Sequence, residues 1–308
     1  MAAGGAAVKG AAPVLFDAPG PRARRRHRVY GLLALAGALA VGAAVLLRLS
    51  EAGQFVGAMW EPFTYRGVQE RVLRGVLDTL KAFGLAVVLS LVLGVLLATG
   101  RLSSHRWIRW PCAAVVEVFR ALPLLILIFA LYNMAGLRDA VEGFGNALRN
   151  GLGAPGDWLA THYATPTLWA LAFGVALYNG AVHAELLRSG ARAVGAGQWE
   201  AAYALGMRKR QVLSTVVLPQ TVRAMLPGIM SQIVVTLKDT SLGFIIMYEE
   251  LLYAGKLLAQ NISTPYGYPY LPVLWVVGSL YVVMCLLLSL LARQIARPRN
   301  RREARVRS

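Results

Sequence analysis

Acidic residues are scarce in this sequence. Fifteen Asp and Glu stand against thirty-two Lys and Arg, and charged residues make up only 15% of the 308-residue chain. Soluble domains carry about 25%. Cysteine is nearly absent. Cys112 and Cys285 each sit inside an apolar stretch and read as small packing residues, so there is no disulfide framework. The four histidines, His27, His105, His162 and His183, are scattered without metal-ligand spacing. No nucleophile-elbow pattern is present. A phosphate-binding loop is missing too, because Gly255-Lys256 lacks the upstream glycine and the following Ser or Thr. None of these features points to an enzyme.

What is abundant is apolar surface, at 57% of residues. The net charge of +17 raises the question of nucleic acid. Its placement argues against that partner: the basic residues form short clusters between long apolar runs instead of mixing with polar and aromatic residues over a surface.

The runs read as six transmembrane helices, an all-α polytopic membrane protein. Residues 1–28 read as a disordered basic tail ending in Arg22, Arg24, Arg25, Arg26 and Arg28. Residues 29–47 follow without a charge, long enough to cross about 30 Å of hydrocarbon and longer than the apolar region of a cleaved signal peptide. Further spans are expected at 77–98, 113–134, 167–187, 222–247 and 271–291, with a basic tail at 293–308. Helices are the default because lipid offers backbone groups no partners. Lys and Arg set the orientation. With both termini inside, twenty-one lie on the cytoplasmic side and seven outside. The expectation is a plasma-membrane protein with both termini in the cytoplasm.

Between the fourth and fifth spans runs a segment too polar to cross lipid, residues 197–220. Gln198 to Leu205 reads as a short helix with Glu200 in its first turn, facing the positive end of the helix dipole. Ala201, Ala202 and Ala204 offer a small-residue surface for close approach by a partner. Gly206 is free to take positive φ and stop the helix. Arg208 to Val217 reads as a second helix ended before Pro219.

The spacing Glu200-Ala201-Ala202, Gly206, Val216, Leu218-Pro219 resembles the EAA loop of binding-protein-dependent ABC permeases, with Val216 standing where the family usually has Ile. Glu117-Val-Phe-Arg120-Ala-Leu-Pro123-Leu-Leu125 looks like a stretch of the polar amino-acid permeases (uptake of His, Glu, Gln or Arg). So do His183-Ala-Glu185-Leu-Leu-Arg188 and Leu237-Lys238-Asp239-Thr240-Ser241-Leu242. The extra leading span and Glu249-Glu250-Leu251-Leu252 are most similar to glutamate-uptake permeases.

The resemblance implies a type I ABC importer permease fold, with a five-helix core over 75–292 and one added N-terminal helix. It implies a transport subunit that is not itself an enzyme and binds no cofactor. ATP and Mg would sit on a separate ATPase dimer docked on the loop, with Glu200 as anchor and Gly206 setting the angle between the loop's helices. A second permease subunit, related or identical, and an extracytoplasmic substrate-binding protein complete the expected assembly. Ionisable groups inside spans attract functional interest because they are costly there. Lys238, Asp239, Asn179, His183 and Glu185 are the candidates for the substrate pathway, and a structural role stands beside that reading for each. Glu117 and Arg120, three apart, read as an intrahelical pair. The rival class is a secondary amino-acid transporter or channel, which would need no docking loop; no convincing internal repeat supports it.

Overall fold

The computed structural model describes residues 20–296, and their contacts divide into two units, one ending at Val56 and one starting at Gly57. Among the described residues, the first unit carries one long helix, α1 (Pro21–Glu51). Pro21 opens it where a missing N–H costs nothing. Residues 21–28, expected as disordered tail, are its first two turns; residues 293–296 of the expected basic C-terminal tail end the last helix (Tyr270–Ala296), and residues 1–19 and 297–308 lie outside the described residues.

The second unit is helical throughout its named elements. In chain order these are α2 (Arg66–Arg101), α3 (Arg106–Ala121), α4 (Leu124–Tyr132), α5 (Ala135–Leu152), α6 (Ala154–Tyr163) and α7 (Pro166–Ala193). The short α8 (Ala196–Ala204) and α9 (Lys209–Gln211) lead into α10 (Leu218–Asp239), α11 (Leu251–Asn261) and α12 (Tyr270–Ala296). Among the described residues, five helices or helical runs are long and apolar enough to cross a membrane, and the bent pair α3–α4 is a sixth candidate.

The core is a seam between α2 and α7. The buried face of α2 carries Gly75, Thr79, Ala82, Ala86, Ser90, Gly94 and Ala98, spaced three or four apart. Helices in lipid gain little from burying apolar surface against each other, so close packing across small residues takes over. The approach is tight: a Cβ on Gly94 would stand 2.6 Å from the Cβ of His183 on α7. α7 is buried along much of its length and also receives α4, where a Cβ on Gly174 would meet Ile128 at 2.7 Å.

Two expectations change. The third span is broken, with α3 and α4 meeting at 102°. Pro123 explains the break, because a proline pushes the residue before it out of helical geometry, and Leu122 sits at φ −76°, ψ 134°. Between this bend and the fourth span lies the helical pair α5–α6, turned at Gly153 with φ 60°. The helix after the loop does not end before Pro219. Val212–Val217 form a π-helical turn that runs straight into α10, with Pro219 in the first turn of that helix. The widened turn gives room where a proline ring would otherwise press on the carbonyl four residues back.

Candidate functional site: the Ala196–Leu218 loop and the polar groups behind it

The loop forms a helical hairpin on the Arg101 end of the bundle. α8 closes with a two-bond cap: Gly206 N–H donates to the Tyr203 carbonyl at 2.9 Å, and Met207 N–H to the Ala202 carbonyl at 3.2 Å. This is a Schellman motif, which requires a left-handed residue, and Gly206 has φ 76°. Any side chain there would be strained. Arg208 N–H then donates to the Gln211 side chain at 2.8 Å and starts the next turn.

The faces of α8 are unequal. Ala202 is 4% exposed and packs with Ala191 of α7 and with Val212 and Val217, while Trp199, Met207 and Val216 close around them. The outward face shows Glu200, Ala201 and Ala204, with Tyr203 and an 82%-exposed Leu205. The expected small-residue surface is thus split: Ala202 belongs to the fold, and only Ala201 and Ala204 face out. Glu200 lies in the second turn because α8 begins at Ala196. No hydrogen bond or ion pair within the described residues engages it. Pro219 is exposed, and Leu218 is half-buried at the start of α10.

Behind the loop a charged cluster joins three helix ends. Arg101, with an 11%-exposed side chain, donates to Glu185 at 2.8 Å and to Glu117 at 3.2 Å. Arg188 Nε donates to Glu185 at 3.0 Å, and its Nη2 holds the other carboxylate oxygen. Arg120 stands 3.8 Å from Glu117, the pair the spacing indicated. Glu185 therefore ties α7 to α2, and its partner Arg101 was not singled out in the sequence. The available signal was a basic residue closing one span against acids at the ends of two others.

One helical stretch deeper, Asn179 is fully buried. It donates to the Asp239 carboxylate at 2.9 Å and accepts from Gln232 at 2.5 Å. Gln232 was missed as well, although it lies seven residues before Asp239 and so shares its helix face. His183, a turn beyond Asn179, is 1% exposed with no partner for either ring nitrogen among the described residues. Lys238 does not join this group. Its side chain lines a separate cavity of about 300 Å³ between α10 and α12, with Ser231, Ser289 and Arg293. Among the described residues no cluster of three or more His, Cys, Asp or Glu could hold a metal ion.

The hairpin is thus anchored through Ala202 and exposed on its other face, next to helices long and apolar enough to cross a membrane. The family profile described as binding-protein-dependent transport system inner membrane component matches residues 90–301. The glutamate transport system permease protein GluD of Corynebacterium glutamicum is 39% identical over 250 residues, covering 81% of this chain and 82% of its own length. The glutamate/aspartate import permease protein GltK of Escherichia coli is 30% identical over 227 residues, covering 73% and 92%. Among solved structures, a chain of an amino acid ABC transporter crystallised with histidines aligns with a TM-score of 0.58 at 25% identity, covering 74% of this chain and 94% of that one. A chain of the inward-facing MetNI methionine ABC transporter aligns at 0.55 with 18% identity, covering 76% and 98%, a likeness of fold alone. This chain belongs to the binding-protein-dependent transport system inner-membrane components, the multi-pass permease subunits of ABC importers, which are not themselves enzymes.

Proposed function

We propose that this chain is the permease subunit of an ATP-driven importer of polar amino acids, with glutamate as the preferred cargo. The observation that carries the mechanism is the Ala196–Leu218 hairpin, whose outward face is left to a partner while Ala202 anchors it to α7 and to the start of α10. The cargo reading rests on the glutamate-permease relatives.

In this reading both termini and the hairpin are cytoplasmic, and a separate ATPase dimer, carrying ATP and Mg, docks on the hairpin. Glu200, Ala201, Tyr203 and Leu205 enter a groove on the ATPase. When the ATPases close, α8 moves as a rigid body about its Schellman cap. The displacement passes through Ala202 to α7 and, through Val212, Val216, Val217, Leu218 and Pro219, to α10. These two helices hold the Asn179–Gln232–Asp239 group between them, so loop motion bears directly on it. Such coupling needs two packed states of unequal affinity for the docked partner. A second permease subunit forms the other half of the pathway, and an extracytoplasmic binding protein delivers the amino acid. Asn179 and Asp239 line the pathway, with His183 beside them. Glu185 holds the helix ends in register. Lys238, on the α10–α12 face, sits away from that group. A secondary transporter would leave the docking hairpin without a use.

Uptake of labelled glutamate, glutamine, arginine and histidine in cells with and without the gene tests the proposal. Loss of glutamate uptake on deletion is the expected result. Unchanged uptake of all four would refute it.

A further inference from the structure

A second polar region lies at the other end of α2. Asp78 is twenty-three residues before Arg101 in the sequence, about 34 Å along the helix. A cavity of about 790 Å³ opens there, walled by α2, by α6 and its exit, and by the Met247–Glu249 turn. This is within the size range of small-molecule sites, roughly 300–1,000 Å³. Three ionisable residues of α2 line it, Arg74, Asp78 and Lys81, four and three apart on one face. Lys81 and Asp78 are mostly withdrawn from solvent and sit 2.5 Å apart, and the Lys81 ammonium also lies 5.9 Å from the Tyr163 ring centre. Arg74 stands more open, 3.8 Å from Glu70. Glu249 faces the cavity from the opposite wall and has no ion-pair or hydrogen-bond partner among the described residues.

The opposite wall is held in an unusual conformation. Met247 has φ 56°, the one non-glycine residue with positive φ among those described; it is the left-handed cap of the Thr240–Ile246 helical turn, its N–H donating to the Phe244 carbonyl at 3.4 Å and the Tyr248 N–H to the Gly243 carbonyl at 3.0 Å. The next residue is tied across the cavity floor: the Tyr248 hydroxyl donates to the Asp78 carbonyl at 2.9 Å. The turn thereby sets Glu249 facing the α2 charges.

We infer that this cavity is a binding subsite for a dicarboxylic amino acid, on the outer side of the membrane in the orientation proposed above. Two cations, Arg74 and Lys81, meet the two carboxylates, and Asp78 and Glu249 meet the ammonium group. A neutral amino acid such as glutamine leaves one cation unanswered, and a basic one brings its extra charge against Arg74 and Lys81. The selectivity thus comes from mismatch as well as match. The inference rests on the importer reading for its direction and cargo, but the subsite's chemistry stands on these residues alone.

The test is L-glutamate binding to the purified full chain in lipid nanodiscs, followed by saturation-transfer NMR, with L-glutamine and L-lysine for comparison. Saturable glutamate binding is expected. It weakens by about tenfold in Lys81→Met and by several-fold in Glu249→Gln, as loss of a charged hydrogen-bond partner does. Lysine binding, if any, gains from Lys81→Met. Wild-type chain that shows no saturable glutamate binding overturns the inference. So does unchanged binding in a Lys81→Met protein that unfolds at the wild-type temperature. If Lys81→Met does not fold, Arg74→Gln at the open mouth makes the same comparison. Cell uptake separates the two readings. Glutamate uptake that depends on the gene, with nanodisc binding indifferent to Lys81, sinks the subsite and leaves the importer. Nanodisc binding lost in Lys81→Met, with no gene-dependent glutamate uptake in cells, sinks the cargo and leaves the subsite.

Discussion

The two ends of α2 carry charge in opposite ways. At the Arg101 end, one guanidinium with an 11%-exposed side chain is shared between Glu185 and Glu117, and Arg188 completes the set, so the charges are answered within the chain. At the Asp78 end, among the described residues, Lys81 has one close partner, Arg74 has a distant one and Glu249 has none, and all border an open cavity. Charges that satisfy each other hold helices together; charges left facing a cavity are available to something else. The same helix thus serves as a joint at one end and as a receptor at the other.

Unfolding measurements on purified protein bear on this contrast directly. Arg101→Leu is expected to have the largest effect, about 3–5 kcal/mol, because it leaves two carboxylates at a helix junction short of their shared partner. A drop under about 1 kcal/mol would show that the Arg101 end is no joint. The second expectation concerns pH at the Asp78 end, where Glu250 caps α11, outside the long apolar helices. Its carboxylate accepts from Leu252 N–H, Tyr253 N–H and the Tyr281 hydroxyl, yet burial pushes its pKa up to about 7. The folded protein therefore binds this proton more tightly than the unfolded chain, whose carboxyl titrates near 4.5. Glu250's contribution to stability is then fully present below about 4.5 and lost as pH rises through about 7. Unfolding temperature should decline across that window, and Glu250→Gln should flatten the decline. An identical slope in the variant would remove Glu250 as its source. The smallest effect is expected for Lys81→Met, about 1 kcal/mol, since it frees only one carboxylate, Asp78, which borders an open cavity instead of a helix junction. A loss as large as that of Arg101→Leu would erase the distinction between the two ends.

Much of this was legible in the sequence, and what was not has physical causes. The apolar runs announced the long helices because lipid fixes their length, and the loop was readable because its glycine and Leu-Pro have backbone reasons to stand where they do. The break in the third span was hidden inside a continuous apolar run, where only Pro123 signalled it. The inward turn of Ala202 was invisible because three alanines look alike until a neighbouring helix selects one. Asn179 and Asp239 were both singled out, but their contact depends on how α7 and α10 cross, as does the sharing of Arg101. Lys238 and Asp239 are neighbours in sequence, and a helix sends adjacent side chains to different faces; here Asp239 meets Asn179 while Lys238 lines a separate cavity.

In the proposed function the hairpin carries force from a docked ATPase into α7 and α10. The most direct measurement is ATP-driven glutamate uptake and ATPase stimulation in vesicles holding the assembled transporter, with the permease carrying Gly206→Arg or Glu200→Lys. The account predicts normal insertion, uptake reduced at least about tenfold, and ATP hydrolysis no longer linked to transport. Wild-type uptake with wild-type ATPase stimulation in both variants would contradict it.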